Sequence, residues 1–255
     1  MQQFETMGWT KDGKIARIVF NRPQMLNAMN NLAAKEINTV ADAIVQQDDV
    51  RVVVITGTGR SFSTGIDLKE LSTGKIEFEY FTRWERALRT FETMDKIVIC
   101  GIKEYCLGGA LQLALASDVR VAADNTVMGL PAIKEGLIPG LGTFRLAQYI
   151  GLGRAKHLVL SGENVNAHEA YAIGLIDYLV PLAELETRLE EIAQTYARRC
   201  SVATIKSKAL VNLSLTLDFD EFMAKYIESQ NIACSSEDHF EARRAYIEKR
   251  EPVFR

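Results

Sequence analysis

The stretch Cys106-Leu107-Gly108-Gly109-Ala110-Leu111-Gln112 decides how this chain is read. A Gly-Gly turn here opens an apolar run over residues 110–116. Such a turn can aim free backbone N–H groups from a helix N-terminus at one point. That arrangement holds negative charge as it develops on an oxygen atom. The stretch closes on Gln112, an amide with no useful titration.

Outward from the turn, strand and helix patterns alternate. Residues 15–20 read as a strand that stops at Asn21-Arg22-Pro23. Asn30 or Asn31 can cap a helix running to about residue 47. The β-branched run over residues 50–55 reads as a buried strand, broken by Gly57-Thr58-Gly59. A loop with Phe62-Ser63-Thr64-Gly65-Ile66-Asp67 follows, then helical patterning over residues 78–94 and a strand over residues 97–102. Residues 119–123 form a further strand, and Gly140-Leu141-Gly142 precedes a helix ending near Gly151. The alternation predicts an α/β domain with covered sheets. After Pro181 the texture becomes helical and charged, with helices expected over residues 184–199, 203–214 and 219–234. The reading divides the chain into an α/β core over residues 1–195 and a helical region over residues 196–255.

The 255 residues are 47% apolar, enough for a sizeable core. Net charge is −3 with both signs interspersed, so nothing favours a nucleic acid partner. No apolar stretch is long enough for a membrane span, and the N-terminus carries no signal-peptide pattern. Cys100, Cys106, Cys200 and Cys234 form no CxxC pair and read as reduced thiols of a cytoplasmic protein. With three histidines, none spaced to a cysteine as ligands, no metal site is expected.

Three glycine-containing segments stand out: residues 62–68, 107–112 and 136–142. None is a P-loop or a dinucleotide fingerprint. In this order they resemble the crotonase superfamily, the enoyl-CoA hydratase/isomerase family. Asn21-Arg22-Pro23 with Asn27-Ala28 is similar to the family's NRP-x-x-x-NA, and residues 59–67 are similar to its G-x-x-F-x-x-G-x-D. The Gly108-Gly109 helix, Ala116-Ser117-Asp118, Gly136-Leu137-Ile138-Pro139-Gly140, Ser161-Gly162 and Gly174-Leu175-Ile176 continue the likeness. The match covers roughly residues 14 to 181.

The resemblance implies a spiral of repeated ββα units with a C-terminal helical region, and homotrimers or hexamers. It implies an acyl-CoA thioester substrate, as in fatty acid metabolism, with coenzyme A arriving on the substrate and no separate cofactor. The thioester oxygen would lie between the backbone N–H groups of Ile66 and Gly109. Coenzyme A would lie along Gln24, Leu26 and Ala28 and along Ser63, Gly65, Ile66, Asp67 and Leu68. Asp67 is also suited to ordering its own loop.

Hydratases of this family use two glutamates, and both matching positions differ. One is Gln112; the other, in Pro131-Ala132-Ile133-Lys134-Glu135-Gly136, is Ala132. Water addition needs a base for the water and an acid for the α-carbon, and neither residue supplies one. Glu135, three residues on, is the nearest replacement, on the same face as Ala132 if the segment is helical. Tyr80, Glu77, Glu79 and Arg83 are further candidates along the acyl pocket. Three readings stay open. One is a lyase or isomerase with an altered acid/base set, serving isomerisation, decarboxylation or C–C hydrolysis. Another is a hydratase working through Glu135 and a water held by Gln112, and the last is a non-catalytic acyl-CoA-binding protein.

Overall fold

The computed structural model describes residues 2–199 and 201–254, so the Cys200 reading lies outside the described residues. The chain starts with β1 (Gln2–Gln3), β2 (Met7–Asp12) and β3 (Ile15–Phe20), followed by α1 (Asn31–Val45) and β4 (Val52–Gly57). Next come α2 (Leu68–Ser72), α3 (Glu79–Thr93), β5 (Ile97–Ile102), β6 (Tyr105–Leu107) and α4 (Gly109–Ala116). The middle of the chain adds β7 (Val119–Ala123), β8 (Val127–Gly129), α5 (Gly142–Ile150) and α6 (Leu152–Ser161). Then follow β9 (Asn164–Asn166), α7 (Ala167–Ala172), β10 (Tyr178–Val180) and the helices α8 (Leu185–Arg199), α9 (Val202–Leu213), α10 (Phe219–Cys234) and α11 (Glu237–Glu248).

Among the described residues, seven strands form the main sheet in the order β1-β2-β3-β4-β5-β7-β10. From β3 to β10 the pairs are parallel, with Ile15 opposite Val52 and Val52 opposite Ile97. Parallel strands need cover on both faces, and β4 shows why this one has it. Val53 and Ile55 point into one core with α1, α3 and α4, whereas Val52 and Val54 point into a second core with Leu185, Leu189 and Ile192 of α8. The period-two pleat thus divides one apolar run between two layers. A smaller sheet, β6-β8-β9, stands apart and guides the Gly-Gly turn.

α1 starts where expected. Asn30 Oδ1 accepts from Ala33 N at 3.1 Å, capping the helix. α4 is buried on every side, which is why residues 110–116 carry no polar stripe, Gln112 excepted. The short strands β6, β8, β9 and β10, the early strand β2 and the last helix α11 are additions to the sequence reading. Three-residue strands leave no periodicity to detect.

Packing changes after α8. No residue of α9 or α10 is buried as a whole. α9 is fastened to the core by one cation: Lys208 Nζ donates to Lys96 O at 2.7 Å and Phe91 O at 3.2 Å and pairs with Asp118 at 2.8 Å. Burial raises the Asp118 carboxyl above its usual range, and Lys208 opposes that shift. Lys208→Ala is expected to cost about 2 kcal/mol, because it leaves a half-buried carboxylate and two carbonyls without their donor. Urea unfolding measures the loss, and hydrogen exchange should show α9 opening before the sheet.

Candidate active site

The site is built where the loop after β4 runs beside β6. Phe62 N donates to Lys103 O at 2.9 Å, Ser63 N to Tyr105 O at 2.9 Å, and Leu107 N to Ser63 O at 3.2 Å. The loop then turns to the chain ahead of α1: Met29 N donates to Gly65 O at 2.7 Å, and Asp67 N to Met29 O at 2.9 Å. This bridge is centred on Ile66 and uses the groups of its two neighbours. The Ile66 N–H therefore has no acceptor among the described residues. Ser63 is no nucleophile: its hydroxyl donates to Asn27 O at 2.8 Å and accepts from Gly65 N at 3.1 Å.

The Gly-Gly turn presents the second donor. Gly108, at φ 52° and ψ −119°, reverses the chain between β6 and α4. Its N–H is taken by Gly129 O at 2.9 Å, in line with the pairing of β6 and β8. Gly109 begins α4, and its N–H likewise finds no acceptor among the described residues. It sits at the positive end of the helix, where orphan donors favour an anion.

Gly65 brings the two donors together. Its φ is +83°, and a Cβ there would run into Leu107 O and stand 3.1 Å from Gly109 N. The loop and the turn touch through this residue, which sets its neighbour Ile66 close to Gly109.

Side chains of α3 and α4 enclose that place. The Trp84 indole lies against Gly109, with Nε1 3.3 Å from where a Gly109 Cβ would stand. Tyr80 stacks on Trp84, with ring centroids 6.4 Å apart and planes 4° from parallel. Both rings are buried, and neither the Tyr80 hydroxyl nor Trp84 Nε1 has a hydrogen-bond partner among the described residues. Burial, and then the Asp67 carboxylate, push the Tyr80 phenol up, so it stays a neutral donor. Gln112, 7% exposed, extends from α4 to the Gly140 turn. Glu85 of α3 arrives at the same turn, its Oε1 accepting from Leu141 N at 2.8 Å and its Oε2 pairing with Arg145 at 2.8 Å. The sequence reading missed Glu85 and Trp84. Trp84 had a signal, falling four residues after Tyr80 on the apolar face of α3; Glu85 had none.

The other candidates separate into two groups. Gln24 is exposed, Leu26 half-buried and Ala28 buried, around a turn that Asn27 pins to the next loop through Thr58 O and Ser61 O. Thr64 N donates to Leu26 O at 3.2 Å, so the two segments assigned to coenzyme A run side by side. Asp67 caps α2 through Lys69 N and Glu70 N and pairs with Arg22 at 3.1 Å, while Leu68 is exposed. Residues 131–135 form a 3-10 turn, which stacks Glu135 over Ala132, with Glu135 in solvent. Glu77 is paired with Arg83 at 2.6 Å on the surface, and Glu79 is exposed. No group of three metal-ligating side chains gathers among the described residues.

The α/β layers thus bring a loop and a helix-opening turn together at Gly65, with the N–H groups of Ile66 and Gly109 unspent among the described residues. A family model described as Enoyl-CoA hydratase/isomerase matches residues 10–255, and the chain belongs to that family. It is 35% identical over 244 residues to a short-chain-enoyl-CoA hydratase of Clostridium acetobutylicum, covering 94% of each chain. It is 29% identical over 248 residues to a 2,3-dehydroadipyl-CoA hydratase of Escherichia coli, covering 96% of this chain and 97% of that protein. The crystal structure of an enoyl-CoA hydratase from Bacillus anthracis matches with a TM-score of 0.92 at 28% identity, over 98% of this chain and 99% of that one. The fold is thus the α/β crotonase fold, with two sheets and C-terminal helices.

Gly65→Ala tests the geometry. Left-handed strain and the collision with Leu107 are expected to cost about 2 kcal/mol or more. Acyl-CoA binding, followed by calorimetry, should weaken at temperatures where the variant remains folded.

Proposed function

We propose that this chain is an acyl-CoA enzyme that forms an enolate at the thioester and holds its oxygen on the N–H groups of Ile66 and Gly109. The observation that carries the reading is the contact at Gly65, which aligns two donors unused by the fold. An enolate places its charge on that oxygen, and a preorganised backbone donor lowers the barrier by about 3 kcal/mol. Coenzyme A would run along the paired segments at Gln24, Leu26 and Ala28 and at Ser63 to Leu68. Gln112 and Ala132 leave the positions of the two usual glutamates without a titrating group. Reactions needing a single proton-transfer group therefore fit best: isomerisation, decarboxylation or C–C hydrolysis. Hydration is a second reading, favoured by the hydratase names of the relatives and by the stacking of Glu135 over Ala132. In it, Gln112 orients the water and Glu135 moves the proton. Crotonyl-CoA decides between them through the loss of its enoyl absorbance.

Backbone donors make a sharp expectation. Ile66→Ala keeps the N–H, so turnover should change by less than about tenfold. Gly109→Pro removes the N–H at the first helical position, where proline is tolerated, and should lower turnover by about 10²–10³-fold. Steady-state kinetics on the identified acyl-CoA provides the comparison; equal losses in the two variants would sink the assignment.

Residues 196–255 are proposed to form the oligomerisation region of a trimer or pair of trimers. Exposed apolar side chains along α9 to α11, among them Val211, Phe219, Met223, Ile227 and Ile232, support that role. Light scattering should return three or six times the chain mass; a monomer contradicts it. Cys100 and Cys106 are buried free thiols, which suits a reducing, cytoplasmic setting.

A further inference from the structure

We propose that Glu85, on α3, is the carboxylate that exchanges a proton with the acyl-CoA carbon next to the thioester carbonyl. The proposal rests on the enolate reading above and supplies its missing proton-transfer group.

Two separate contacts tie the Glu85 segment of α3 to α4, the helix that Gly109 opens. The first is at Gly140, whose φ is +48°. A Cβ on that residue would stand 2.8 Å from Gln112 Oε1 and 2.9 Å from Glu85 Oε1. The two side chains flank one point, and glycine leaves that point open. Gln112 follows Gly109 by three residues on α4, so it lies on the same face of the helix, one turn from the donor. The second contact runs through Trp84, the residue before Glu85, whose indole packs against Gly109. α3 therefore sets one residue at the oxyanion donor and the next at the amide one turn beyond it.

The surroundings suit proton transfer. Glu85 is held by Leu141 N and Arg145, which fix its direction and use two of about four lone-pair positions. Its side chain is 20% exposed, so it is not sealed from exchange with water. Arg145 is nearly sealed, at 3% exposure, and carries a second acid, Glu92, at 3.1 Å. When Glu85 gains a proton, Arg145 keeps Glu92, and no buried cation is left unpaired. Glu135 has no such enclosure, and the Tyr80 phenol is held neutral and can only donate.

The step balances without another reactant. A Glu85 oxygen takes the α-proton, the C–H pair becomes the enolate C=C bond, and the carbonyl π pair moves onto oxygen between Ile66 and Gly109. Return of the proton to the same carbon reverses the step.

Butyryl-CoA in deuterated water tests this through deuterium gained at its α-carbon, read by mass spectrometry. The wild-type chain should exchange. Glu85→Gln should lower the rate by about 10²-fold or more while leaving the Kd for butyryl-CoA within about threefold. Glu85→Asp keeps a carboxylate and should recover about tenfold over the glutamine variant. Glu92→Gln leaves Arg145 without its second acid and should slow exchange by no more than about tenfold, and urea unfolding of both variants separates proton transfer from the stability of the cluster. Undiminished exchange in Glu85→Gln, or an equal loss in Glu92→Gln, overturns the role of Glu85 and leaves the enolate reading standing. A wild-type chain that neither binds butyryl-CoA nor exchanges its α-protons overturns both.

Discussion

The close approach of Gly65 to Leu107 and Gly109 is the constraint on which the rest of the site depends. It joins segments more than 40 residues apart and leaves no room for a side chain between them. The two bridges around it, Ser63 with Cys106 and Met29 with Ile66, explain why. Each takes up the groups of neighbouring residues and leaves the donors at Ile66 and Gly109 free. Buried N–H groups are costly to leave unpaired, which is the ground for proposing a ligand oxygen beside Gly65.

The parallel sheet provides the rigidity that such a point requires. β4, β5 and β7 are buried on both faces, and α4 rises from beside them with no polar face except at Gln112. The small sheet consumes the Gly108 N–H through Gly129, so the free donors of α4 begin at Gly109. α3 closes the enclosure from the other side with Tyr80, Trp84 and Glu85. Electrostatic stabilisation is effective in such a place because the dipoles are set before charge develops.

The sequence made the fold legible for a physical reason. Fully apolar runs such as residues 50–55 mark strands covered on both faces, and the structure shifts that run only to Val52–Gly57. Ile66 and Gly109 were named through the family resemblance, and their proposed role rests on it and on the contact at Gly65. β6, β8 and β9 were too short to show alternation, although they aim the turn. Glu85 was invisible for a different reason. One residue along α3 from Trp84, it reads as a solvent-facing acid, and its meeting with Gln112 at Gly140 exists only once distant segments fold together.

The central claim is that two backbone N–H groups polarise the thioester carbonyl. Isotope-edited infrared spectroscopy of butyryl-CoA, labelled with carbon-13 at the thioester carbonyl, reads that polarisation directly. The account predicts a bound carbonyl stretch at lower frequency than for the free thioester in water. A bound stretch at or above the free frequency would contradict it.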